Sequence, residues 1–281
     1  MALLHASVSS ASPIGVFDSG VGGLSVLRAL QAELPHERFV YVADAGFAPY
    51  GERDDAHVIA RSHTIGDYLQ THHHIKALVV ACNTATAAAI AQLRSATPAL
   101  PIVGIEPALK PAAALSKTKV VGVMATRGTL NSEKFATLLA SLHGQATFVL
   151  QPCDGLADAI EHADATKIIA ACARYTEAMG RFGIESGEMD TLVLGCTHYP
   201  FVATELTQLV GKEIILLEGG APVARRTRTL LEKNGLLTPP TPSIENQSQK
   251  TTFFTTGAPD LLSFALLQWL HTTASVETIR S

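Results

Sequence analysis

Short apolar runs rich in valine, isoleucine and leucine alternate along the chain with longer segments whose apolar positions recur at helical spacing. A continuous apolar run marks a strand buried on both faces, and its alternation with helical patterns predicts a mostly parallel sheet covered by helices. The runs predict strands over 14–17, 39–43, 77–81, 102–105, 120–124, 147–150, 191–194 and 214–217. Between and after them the pattern predicts helices over 24–33, 55–72, 86–95, 132–141, 155–161, 168–182, 204–210 and 222–234. The polar, proline-rich stretch LLTPPTPSIENQSQK predicts a surface loop. A short strand in TTFFTTG and an amphipathic helix over 260–271, with Asp260 near its start, close the pattern.

The pattern also repeats. ALVVACNTAT (77–86) resembles TLVLGCTHYP (191–200): an apolar strand, a small residue, a cysteine, then a polar residue. IGVFDSG (14–20) pairs in the same way with VGVMATRG (121–128). The two echoes run in the same order at offsets of 114 and 107 residues, which differ by no more than one loop. Two similar α/β halves facing one another are the expectation.

Composition narrows the partners. The 281 residues suffice for one large or two medium α/β domains. With 21 basic against 25 acidic residues there is no electrostatic case for nucleic acid or an anionic membrane. No apolar run reaches the ~18–20 residues that span a bilayer. The opening MALLHASVSSASP lacks the basic start and apolar length of a secretory signal, so residues 1–10 read as a loose leader and the protein as cytoplasmic. Cys82, Cys153, Cys172 and Cys196 are dispersed, with no CxxC pair, and read as free thiols.

Cys82 and Cys196 each fall at the end of a predicted strand, where open α/β sheets bind ligands. Asn83 and Thr84 are N-cap residues ahead of an alanine-rich helix, whose dipole favours the thiolate of Cys82. His198, two residues past Cys196, can hold or relay its proton. Asp18, at the end of the first strand, is the matching polar group for Cys82. One thiol on each of two facing halves suits a reaction that removes a proton from one face of a carbon and returns one to the other. An ordinary thiol pKa of ~8.5 lets modest tuning reach either form. That is the logic of cofactor-independent racemisation. A zinc site from Cys82, Cys196 and His198 is the competing chemistry, but the spacing lacks close ligand pairs. Cys153 and Cys172 read as buried core thiols.

The segments FDSGVGG, ACNTA and GCTHYP, with PIGVFDSGVGGLSVLRAL, VYVADAGFAPYGER, GIEPALKPA and ATRGTLNS, resemble the glutamate racemases of the aspartate/glutamate racemase superfamily over nearly the whole chain. The resemblance implies interconversion of L- and D-glutamate without pyridoxal phosphate or metal, supplying D-glutamate for peptidoglycan. It implies Cys82 and Cys196 as the two bases, the first acting on D-glutamate and the second on L-glutamate, with Asp18 assisting the first and His198 the second. Ser19, Pro49, Tyr50, Gly51, Asn83, Thr84, Thr126, Thr129 and Thr197 match substrate-binding positions, and recognition of the ammonium is an equal alternative role for Asp18. Glu161 matches the auxiliary acid on the second cysteine's side more weakly, because CDGLADAIE replaces a proline-rich segment. Glu218 and Gly219 stand where an Asp-Ser pair is common. The resemblance also implies a homodimer.

The expected architecture is therefore two doubly wound α/β domains with mostly parallel sheets and the active site in the cleft between them. The first comprises 11–105 and 218–281, and 106–217 is inserted as the second. Aspartate or hydantoin racemisation, a non-catalytic amino-acid-binding protein and a zinc hydrolase are the rival readings. THHHIK reads as a solvated helix end, not a metal site, and DSGVGG as a turn that lets backbone approach a carboxylate closely, since it lacks both GxGxxG spacing and a Walker lysine.

Overall fold

Each apolar run becomes a strand, and the strands separate into two all-parallel sheets. The computed structural model describes residues 8–240 and 251–279. In chain order the strands are β1 (Ile14–Asp18), β2 (Phe39–Ala43), β3 (Ala77–Val80), β4 (Ile102–Gly104) and β5 (Val120–Ala125). β6 (Thr147–Pro152), β7 (Thr191–Leu194), β8 (Ile215–Leu217), β9 (Thr251–Thr255) and β10 (Val276–Thr278) follow. The first sheet has the order β10-β9-β2-β1-β3-β4 and the second β6-β5-β7-β8. The order β2-β1-β3-β4 in the first thus recurs as β6-β5-β7-β8 in the second, so β1 corresponds to β5 and β3 to β7. Both halves are doubly wound, with a switch point beside the first strand of each.

The first sheet is buried on both faces. On one side Ile14 and Val16 of β1 pack with Leu24 and Leu27 of α1 (Leu24–Glu33), Val223 and Leu231 of α10 (Gly220–Lys233), and Leu262 and Leu266 of α11 (Pro259–Leu270). On the other, Phe17, Leu78 and Val80 pack with Ile65 and Leu69 of α2 (Asp55–His73) and Ala89 and Leu93 of α3 (Asn83–Ala96). The second sheet sits between α4 (Leu109–Leu115) with α6 (Glu133–Ala140) and α7 (Leu156–Glu161), α8 (Ala165–Met179) and α9 (Ala203–Val210). Phe201 and Trp269 touch a core in each half, and their rings stack at 4.9 Å between centroids, 11° from parallel. Among the described residues no helix is long and apolar enough to cross a membrane.

The differences from expectation are local. The helix expected from 86 begins at Asn83, because Cys82 itself is the N-cap: its backbone is extended and its Sγ accepts the Ala85 N–H at 3.4 Å. The helix expected over 132–141 is preceded by α5 (Arg127–Asn131), and Ser132 separates the two with its Oγ accepting the Phe135 N–H. α4, short and interrupted by prolines in sequence, and β10 carried no recognisable pattern. Of the leader, residues 1–7 lie outside the described residues, while the Ser10 carbonyl accepts hydrogen bonds from Lys76 and Thr238. Residues 241–250 of the expected loop also lie outside them.

Candidate active site

The two thiols occupy equivalent places in the repeated topology. Cys82 follows β3, beside the end of β1, where the Ala81 N–H donates to the Phe17 carbonyl at 2.8 Å. Cys196 follows β7, beside the end of β5, where the Gly195 N–H donates to the Met124 carbonyl at 2.7 Å. Both line one cavity of about 240 Å³ between the sheets. That is below the ~300–1,000 Å³ typical for drug-sized ligands and suits a small metabolite.

On the first side the Cys82 S–H donates to Ser19 Oγ at 3.8 Å, and Ser19 donates to Asp18 Oδ1 from its N–H (2.6 Å) and its hydroxyl (3.2 Å). Thiol, hydroxyl and carboxylate thus form a relay. Asp18 is completely buried and does not line the cavity; its other oxygen accepts from Thr197 Oγ1 at 3.1 Å. This places it behind the thiol. Burial raises its pKa, with the Glu161 charge adding to the effect and His198 opposing it. Burial and the Asp18 charge push the Cys82 thiol well above its ordinary value, while the Ala85 amide pulls the other way. The expected thiolate-favouring helix dipole is therefore overridden: a dipole contributes ~0.3–1 kcal/mol, whereas burying a charge costs several.

Asn83 and Thr84 contribute the first two amides of α3, which have no carbonyl in a preceding turn to bond. Both side chains line the cavity, and Asn83 Oδ1 is buried with no hydrogen-bond partner among the described residues. Pro49, Tyr50 and Gly51 line it from a 3₁₀ turn. The Tyr50 hydroxyl points away from the cavity and donates to Asp44, a buried carboxylate that also accepts two bonds from Arg61, both 2.9 Å, and one from Thr256.

On the second side Cys196 Sγ lies 3.7 Å from His198 Nδ1, and His198 Nε2 lies 2.7 Å from Glu161 Oε2. Burial alone would depress the imidazole pKa, but the hydrogen bonds to Cys196 and Glu161 outweigh it and hold His198 well above its ordinary value. Thr84, Thr126 and Thr129 bring three hydroxyls from the two halves within 2.9–3.4 Å of one another. Thr126 lines the cavity, while Thr129 sits behind it, 1% exposed. The glycines of DSGVGG do face a carboxylate, and it is the protein's own: a Cβ on Gly20 would stand 2.4 Å from Glu161 Oε2, and one on Gly22 2.3 Å from His198 Nδ1.

Ser19, Thr197, His198 and Glu161 join the two thiols in the lining, so of the expected residues only Asp18 and Thr129 stand behind it. Several lining residues carried no assigned role, Arg127, Leu261 and Cys153 among them. Arg127, paired with Asp154 at 2.5 Å, sits at the rim; its only sequence signal is its place between Thr126 and Thr129. Leu261 arrives from α11 near the chain's far end, and no local signal points to it. Cys153, read as core, is 2% exposed and also lines the cavity. Among the described residues no group of three or more His, Cys, Asp or Glu side chains is arranged to hold a metal ion.

A family model described as Asp/Glu/Hydantoin racemase matches residues 14–221. The chain is 49% identical over 230 residues to the glutamate racemase of Methylococcus capsulatus, covering 80% of this chain and 82% of the relative. It is 41% identical over 269 residues to that of Pseudomonas putida, covering 95% and 97%. A Bacillus anthracis glutamate racemase crystal structure superposes with a TM-score of 0.82 at 30% identity, covering 96% of this chain and 98% of that one. The Escherichia coli enzyme in complex with L-glutamate and the activator UDP-MurNAc-ala gives 0.79 at 31% identity, covering 95% and 98%. The chain belongs to the Asp/Glu/Hydantoin racemase family. It is an enzyme, an isomerase of the amino-acid racemase class.

Proposed function

We propose that this enzyme interconverts L- and D-glutamate without a cofactor, by proton transfer between Cys82 and Cys196 across the α-carbon. The observation that carries the mechanism is the placement of the two thiols at topologically equivalent strand ends on one shared cavity. The relatives' names and the L-glutamate complex of the Escherichia coli enzyme support the substrate. A Francisella tularensis glutamate racemase in complex with D-glutamate, with a TM-score of 0.80 at 25% identity, supports it as well.

Burial and Asp18 hold the Cys82 thiol well above its ordinary value, which suits it to donate a proton in the L-to-D direction. Cys196, as thiolate beside His198, takes the α-proton of L-glutamate, and the Cys82 S–H delivers its proton to the opposite face. Cys82 is then the thiolate and Cys196 the thiol, and the reverse passage returns both. The carbanion's charge spreads onto the α-carboxylate, which the free amides of Asn83 and Thr84 at the positive end of α3 would hold. Asn83 Oδ1, an unsatisfied acceptor in the lining, fits the substrate ammonium.

The boundaries 11–105 with 218–281 and 106–217 are the two units we assign to this task. Supply of D-glutamate for peptidoglycan, and so cell shape, in the cytoplasm and as a homodimer, completes the proposal. Incubation with L-glutamate in deuterated water, without added cofactor and with L-aspartate in parallel, tests it. Loss of the α-proton and of optical rotation should proceed together for glutamate. Cys82→Ser and Cys196→Ser should each abolish racemisation, and full activity in either overturns the two-base reading.

A further inference from the structure

Several of the contacts that cross between the halves fall on one short segment. The Val21 N–H donates to both oxygens of Glu161, at 2.9 and 3.2 Å. The buried Ser25 hydroxyl lies 2.8 Å from the Gly22 carbonyl and 2.8 Å from the Thr197 carbonyl in the other half. Gly20 and Gly22 leave the space that Glu161 and His198 occupy, and any Cβ there would overlap them. The Val21 side chain, 1% exposed, is set in the core of the first half, which fixes the direction of its amide.

Glu161 needs such a donor. It is the last residue of a six-residue helix, the end at which backbone carbonyls and the dipole disfavour negative charge. Within its own half, among the described residues, the only side chain hydrogen-bonded to its oxygens is the imidazole of His198. The remaining donation comes from Val21, across the cleft.

We propose that the segment from Gly20 to Ser25 in the first half is the positioning element for the Glu161–His198 pair of the second, so that the proton partner of Cys196 is complete only where the two halves meet. The loop beside the first thiol thereby also serves the other thiol. Its catalytic consequence rests on the two-base reading above, but the arrangement itself is measurable without turnover. The groups facing His198 are Glu161 from α7, Cys196 from the loop after β7, and Asp18 from the end of β1, with Cys82 beyond Asp18.

The test is an NMR titration of histidine-labelled full-length protein, with the His198 signal assigned by its loss in His198→Asn. Gly20→Ala retains every titratable group yet must displace the Glu161 carboxylate. It should lower the His198 titration midpoint in the same sense as Glu161→Gln, and the double variant should move it no further. Turnover of Gly20→Ala should fall about 10²-fold, the loss associated with a ~1 Å misplacement of catalytic groups, in kcat more than in KM. Ser25→Ala, which removes only the bridging hydroxyl, should shift the midpoint in the same direction by less. An unchanged midpoint in folded Ser25→Ala overturns the proposal, whether or not Gly20→Ala folds. If the variants show the shifts but the wild-type protein exchanges no α-proton of glutamate, the proposed reaction alone falls.

Discussion

His198 is the side chain whose surroundings decide the pH response. Its imidazole pKa is raised by Cys196 and Glu161 against the depressing effect of burial, so it stays charged above the ordinary ~6.5. A raised folded-state pKa contributes stability that is fully present below the unfolded value of ~6.5 and is lost as pH rises through the folded value. Catalysis that uses the imidazolium must fall on the same side, giving an alkaline limb. Glu161→Gln removes one of the two groups that hold the proton and should move that limb of the kcat/KM profile to lower pH. A limb that does not move would belong to another group. His198 was legible as a candidate because it lies two residues from a cysteine; Glu161 was a weaker match because CDGLADAIE replaces a proline-rich segment, and only folding pairs it with a partner 37 residues away.

Among the secondary-structure elements, α3 shows how a catalytic atom can also be a structural one. Cys82 Sγ accepts the Ala85 N–H at the helix start, the place normally held by an oxygen. Cys82→Ala should therefore lose a cap as well as a base, lowering stability by about 1 kcal/mol, whereas Cys82→Ser keeps an acceptor there. Both variants should be inactive, and urea unfolding followed by circular dichroism should separate them. Equal stabilities would show that the sulfur contact adds nothing. The strands were legible because parallel strands buried on both faces are written as unbroken apolar runs, as β1, β3 and β7 are. α4 was not, since seven residues flanked and broken by Pro107 and Pro111 hold too little period. The repeat was legible for a related reason: the same strand-then-cysteine sentence must be written twice when the same sheet is built twice.

At the scale of the whole molecule, the distant chain segments are pinned at a buried ion pair. Lys76 and Glu37 are 0% and 1% exposed, and Lys76 also donates to the Ser10 carbonyl and to Thr238 Oγ1. Thr238 in turn donates its N–H to Glu37, so the chain's beginning and the segment after α10 meet at one point. Lys76→Met leaves the Glu37 charge without its cation and should cost ~3–5 kcal/mol in equilibrium unfolding, with much of that recovered in Lys76→Met/Glu37→Gln. Recovery of nothing in the double variant would place the loss in packing instead of charge. None of this was visible in sequence, because residues 10, 37, 76 and 238 share no local pattern and become neighbours only through the fold. The stacked pair Phe201 and Trp269, which touches a core in each half, has a different consequence. Trp269 is the only tryptophan in the 281 residues, so the tryptophan emission of the unmodified enzyme comes from a single fluorophore seated at the seam between the halves. The protein carries its own optical gauge of how the two halves are seated, one that needs no dye and leaves every cysteine unlabelled.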